Sequence, residues 1–126
     1  MDRRTFHFLA ILLLTATSLS ASASPAGEKF HSSTVTYPSG KDTVSAYLVV
    51  PEGKGPFPAV MVIHEWWGLT DWVKEGAEKL AKEGYVTLAI DLYRGKVAAA
   101  ADLAHELSRG VPEDRAARDL KAAFAY

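Results

Sequence analysis

His64 and Glu65, followed at once by Trp66 and Trp67, place an imidazole, a carboxylate and two indoles side by side where an apolar run gives way to a turn, VIHEWWGLTDW. A carboxylate at a strand end can take a proton from an attacking group, and main-chain N–H groups left free by the turn can stabilise a developing oxyanion. Each residue also has a plainer role. Glu65 could be an ordinary loop acid in a cap or a surface ion pair. His64 reads as a packing or hydrogen-bonding residue that holds the turn. Trp66 and Trp67 are either core or lid aromatics, or the wall of a ligand pocket. His-Glu is also the start of the zinc-binding helix motif H-E-x-x-H, but the second histidine position is Gly68 and the setting is not helical, so no metal is expected.

These residues need a strand before them and a helix after them. Phe57 to Ile63 (FPAVMVI) is a short apolar run rich in β-branched residues behind the turn signal GKGPFP, which suits a parallel strand covered on both faces. Asp71 to Glu83 (DWVKEGAEKLAKE) places Val73, Ala77, Leu80 and Ala81 on one helical face, with Thr70 or Asp71 to cap its start and Gly84 to end it. A second apolar run, Tyr85 to Ile90, closes on Asp91, which reads as a turn-bonding residue of DLYRG. Strand, helix and strand make a βαβ unit with a right-handed crossover.

Upstream, Ser33 to Tyr37 and Val44 to Val50 flank PSGKD and predict an antiparallel hairpin. Downstream, Ala98 to Arg109 carries Leu103, Ala104 and Leu107 at helical spacing, and the alanines from Val97 to Ala101 read as helix rather than linker. His105 falls beside that apolar face and reads as a surface residue. RGVPED then breaks the chain before a helix from Pro112, with the predicted apolar face Ala117, Leu120, Ala123 and Phe124. The fold class is α/β.

Arg3 and Arg4 precede an apolar run, Phe8 to Leu14, and a small-residue stretch, SLSASASPAG, the three parts of a secretory signal peptide. Ala21-Ser22-Ala23 sets the expected cut after Ala23. The apolar run is too short for a stable membrane anchor, so the mature chain is expected to be secreted or periplasmic. Removing residues 1–23 takes away Asp2, Arg3 and Arg4, so 14 basic residues become 12, 15 acidic ones become 14, and the net charge goes from -1 to -2. A near-neutral chain offers nothing to nucleic acid. With no cysteine there is no disulfide framework, thiol nucleophile or thiolate metal site in this chain.

A β-hairpin, an apolar strand ending in HEWWGL, a helix, EGYVTLAIDLYRGK and then a DLKAAFAY helix resemble, in that order, the dienelactone hydrolases of the α/β-hydrolase superfamily. The resemblance runs from Glu28 to Tyr126 and implies the amino-terminal half of an α/β-hydrolase fold, with an incomplete sheet. It implies that Glu65 helps activate the nucleophile and that the backbone N–H of Trp66 supplies one oxyanion donor. Trp67 and Arg94 are the candidate pocket residues. Arg94 and Arg109 do not fall on the family's substrate-carboxylate positions, so a preference for acidic lactones is not implied. The family's nucleophile, usually Cys in G-x-C-x-G, and its Asp and His belong to sequence beyond Tyr126 and are not in this chain.

The implied reaction is hydrolysis of a small-molecule lactone or carboxylic ester through a covalent acyl-enzyme, without metal or organic cofactor. A dinucleotide-binding reading fails because GLTDWVKEG does not supply G-x-G-x-x-G, and no Walker motif occurs. The alternative outside enzymology is a non-catalytic truncated product or a small secreted binding module. The family strand order would leave FPAVMVI with an unpaired edge in this chain, so poor stability in isolation is expected.

Overall fold

The computed structural model describes residues 29–126, and the expected leader over 1–23 lies outside the described residues. The chain runs β1 (Phe30–Ser39), β2 (Asp42–Pro51), β3 (Ala59–Ile63), α1 (Asp71–Lys82), β4 (Val86–Ile90), α2 (Ala101–Arg109) and α3 (Glu113–Ala125). The four strands form one open mixed sheet in the order β1-β2-β4-β3. β1 and β2 are the expected antiparallel hairpin, turning at Ser39 and Asp42. β4 lies antiparallel to β2 and parallel to β3, so β3-α1-β4 is the βαβ unit read from the pattern.

β4 is the strand buried from both sides. Leu88 and Ile90 join Tyr37, Val44, Ala46 and Ala123 in the core under α3. Ala89 faces the other way and meets Val49, Val73, Ala77 and Ala81 under α1. The alternation follows from the strand's two-residue period, and the alanines let α1 sit close to the sheet. Thr87 has no solvent exposure, and its hydroxyl donates to the carbonyl of Ala77 (3.2 Å), so this buried polar group is satisfied. Thr70 caps α1 by accepting from the N–H of Val73.

Three local expectations are corrected. β3 has the expected unpaired edge, but only its Val62 face is covered, by α1; Met61 and Ile63 on the other face are 41% and 55% exposed, because α3 packs over β1 and β4 instead. Helix α2 starts at Ala101, so Val97 to Ala100 is not helical; Ala98 is instead buried, and its N–H donates to the carbonyl of Trp67 (2.9 Å). On α3, Ala117 is exposed and Phe124 is 84% exposed, while Asp119 and Ala123 are buried. A hydrophobic pattern does not register a buried carboxylate, and Asp119 draws its own stripe of the helix inward.

Candidate active site

Glu65 and Trp66 stand at the carboxyl end of β3, beside the carboxyl end of its parallel neighbour β4. Ligands in open α/β sheets bind at such strand ends. A cleft of about 310 Å³ lies there, lined by His64, Glu65, Trp66, Leu92, Tyr93, Ser108 and Val111. A larger groove of about 490 Å³ runs along β3 and α3 past Leu48, Val50, Met61, Phe124 and Tyr126, but its lining carries no Asp, Glu, His, Lys or Arg side chain.

The turn is built around one carbonyl. The oxygen of Glu65 receives His64 Nδ1 at 2.7 Å and the N–H of Gly68 at 3.2 Å, and the N–H of Thr70 donates to the carbonyl of Gly68 at 2.8 Å. Gly68 holds φ +97°, and a Cβ there would lie 2.6 Å from the carbonyl oxygen of Lys96, so only glycine fits. Among the described residues the Glu65 carboxylate has no hydrogen-bond partner, and neither do the N–H groups of Trp66 and Trp67. Glu65 is exposed, as an acid open to a reacting group must be.

His64 is buried, 8% exposed, with its ring edge-on to Tyr93 at a centroid distance of 4.5 Å. Its Nε2 accepts the N–H of Leu92 at 3.2 Å, tying the end of β3 to the segment after β4. That segment is densely bonded. The Asp91 carboxylate accepts the N–H groups of Tyr93 and Gly95, and Asp91 N–H donates to the carbonyl of Ser45. The carbonyl of Leu92 receives Arg115 Nη2 from α3 at 3.2 Å.

Arg94 lies outside the cleft. It adopts φ +55°, and its guanidinium donates to Asp119 Oδ2 at 2.7 Å and to the carbonyl of Asp91 at 3.4 Å. Asp119 has no solvent exposure, and its other oxygen accepts the Ser39 hydroxyl at 2.6 Å. This charge is therefore spent on joining the hairpin, the segment after β4 and α3. The Tyr37 hydroxyl donates to the carbonyl of Asp119, and burial, reinforced by the Asp119 charge, pushes its pKa up to about 12.

The Trp66 indole packs between Trp67 (4.9 Å) and His105 (4.7 Å, edge-on), so His105 contacts the site's aromatic wall although it is exposed. Trp67 is half-buried and backs Trp66 rather than lining the cleft. The sequence reading missed Leu92, Ser108, Arg115 and Asp119. For the last two a signal existed: charges four residues apart, on a short helix otherwise rich in alanine, share one face.

A four-stranded mixed sheet with α1 and α3 on opposite faces, and with its candidate site at the parallel strand ends, corresponds to part of the α/β-hydrolase fold. The profile of the dienelactone hydrolase family matches residues 44–126, and the chain belongs to that family. The solved structure of m3DLH is 30% identical with a TM-score of 0.66, and covers 76% of this chain and 42% of its own. The dienelactone hydrolase-like promiscuous phosphotriesterase P91, from metagenomic libraries, is 33% identical with a TM-score of 0.64, over 75% of this chain and 41% of its own. Protein usf of Aquifex pyrophilus is 43% identical over 56 residues, 42% of this chain and 24% of that protein. The chain thus spans about two-fifths of the length of the two solved relatives.

Proposed function

We propose that this chain supplies the acid and one oxyanion donor of a hydrolase that cleaves small lactones or carboxylic esters through a covalent acyl-enzyme. The observation that carries this reading is the pair of unpartnered groups on one turn, the Glu65 carboxylate and the Trp66 N–H, both on residues that line a cleft at the strand ends. Asp91 and Asp119 are bonded within the fold, whereas the Glu65 carboxylate is exposed beside the cleft and open to a reacting group.

In this mechanism Glu65 accepts the proton of the attacking group. The Trp66 N–H stabilises the negative oxygen of the tetrahedral intermediate, in place before the charge develops. The indole of Trp66, backed by Trp67, walls the cleft that holds the acyl group. Export to the periplasm or beyond, after cleavage at Ala23, belongs to the same proposal.

Methanol partitioning tests the covalent step. With the protein as its gene encodes it, acetate esters of different leaving groups should give one constant ratio of methyl acetate to acetate, because they share an acyl-enzyme. A ratio that changes with the leaving group contradicts the covalent intermediate. Failure to turn over any ester or lactone contradicts the hydrolase reading itself. Phosphotriesters make a useful second substrate series, since P91 is described as a promiscuous phosphotriesterase.

A further inference from the structure

We infer that His64 is a positioning residue that aims the Trp66 N–H, doing so as a neutral imidazole protonated on Nδ1. The inference rests on the reading of Trp66 as an oxyanion donor and explains how that donor is held. A backbone N–H can only donate, so the Leu92 N–H at 3.2 Å requires a lone pair on His64 Nε2. A carbonyl can only accept, so the 2.7 Å contact to the Glu65 oxygen requires the proton on Nδ1. Both contacts together select one tautomer and one ring orientation.

What that ring holds is one peptide group. The carbonyl of Glu65 and the N–H of Trp66 belong to the same planar trans unit and point in opposite directions. Pinning the carbonyl therefore fixes the N–H. His64 Nδ1–H and Gly68 N–H both converge on the carbonyl side, which leaves the Trp66 N–H directed away from them with no acceptor among the described residues. A donor kept empty by bonds on the opposite side of its own peptide needs no reorganisation when an oxyanion forms.

The anchor at the far end of the ring is also built. Leu92 is fixed through its N–H by His64 and through its carbonyl by Arg115, and Arg94, two residues on, is fixed by Asp119. Arg115 and Asp119 are four apart on α3 and so share a face. Helix α3 thus holds the segment after β4, that segment holds His64, and His64 holds the peptide that carries the oxyanion donor. Without the imidazole the Glu65 carbonyl keeps only the longer Gly68 bond, and the peptide is free to rock.

The test has two arms on the protein as its gene encodes it. The first is the ring nitrogen spectrum of His64 in long-range ¹H–¹⁵N correlation near neutral pH. A protonated Nδ1 with an unprotonated Nε2 supports the strut; protonation on Nε2, alone or with Nδ1, overturns it. The second compares His64→Asn with His64→Leu, which match in size, while only Asn keeps a donor at the Nδ1 position. His64→Leu should lose about 10- to 100-fold in kcat, short of removing an oxyanion donor outright, and Asn should recover much of that at similar KM.

Equal kcat in the Asn and Leu variants overturns the positioning role. If the wild-type protein hydrolyses no ester or lactone, the acyl-transfer reading fails, and the tautomer then decides the strut by itself. If the Leu variant does not fold, the wild-type tautomer again decides.

Discussion

Two segments leave the sheet at neighbouring strand ends and are built on opposite terms. The segment after β4, Asp91 to Gly95, is closed: its carboxylate, its Leu92 carbonyl and its arginine all have partners, and Asp91, Leu92 and Tyr93 are buried. The turn after β3, Glu65 to Gly68, is held through its Glu65 and Trp67 carbonyls, while its Glu65 carboxylate and Trp66 N–H, on residues that line a cleft, have no hydrogen-bond partner among the described residues. Bonds made inside the fold hold the first segment in place, whereas the exposed carboxylate of the second is left to solvent or to a ligand, so the difference separates the support from the site. Breaking the first should cost stability. Breaking the second should cost activity.

Asp119→Ala makes the largest predicted break. It takes from the Arg94 guanidinium its 2.7 Å carboxylate partner and leaves the Ser39 hydroxyl without its acceptor, and should destabilise by about 3 kcal/mol in urea unfolding. Gly68→Ala comes next, at about 2 kcal/mol, because its Cβ meets the Lys96 carbonyl and its φ is +97°. This one should also cost turnover, since Gly68 N–H is the second bond on the Glu65 carbonyl.

A smaller effect is expected at high pH. The folded state raises the pKa of Tyr37 to about 12 from its ordinary 10.0, so the fold favours the neutral phenol. Its stability contribution is complete below pH 10 and is lost as pH rises through 12, by which point about 2 kcal/mol has gone. Tyr37→Phe should flatten the stability curve between pH 10 and 12 by that amount; an unchanged curve would show that the phenol does not titrate with unfolding. Smallest of all is Arg118→Ala. It removes an ion pair to Asp42 that is half in solvent, and thermal unfolding should register under about 1 kcal/mol.

The same contrast explains what could be read from the chain beforehand. Apolar periodicity pointed to the hairpin, the βαβ unit and the last helix, read from Pro112, because strand and helix periods are carried by neighbours in sequence. HEWWGL pointed to the open turn because the relevant groups are contiguous there. The support was hidden, because its bonds join residues far apart: Ser39 to Asp119, Arg94 to Asp119, His64 to Leu92. Arg94 illustrates the cost. Its position after DLY suggested a pocket cation, and only the packing of α3 shows where its charge is used. The burial of Asp119 likewise runs against the hydrophobic pattern of its helix, which placed Ala117 and Phe124 inward.

Glu65→Gln tests the division between support and site most directly, because it changes an exposed, unbonded carboxylate to an amide of the same shape. In the protein as its gene encodes it, kcat/KM for ester hydrolysis should fall by about 10- to 1000-fold, the range for losing one acid–base group. The unfolding free energy should stay within about 0.5 kcal/mol of wild type. Full turnover at neutral pH, or an activity loss matched by an equal loss of stability, would contradict the account and make Glu65 part of the support.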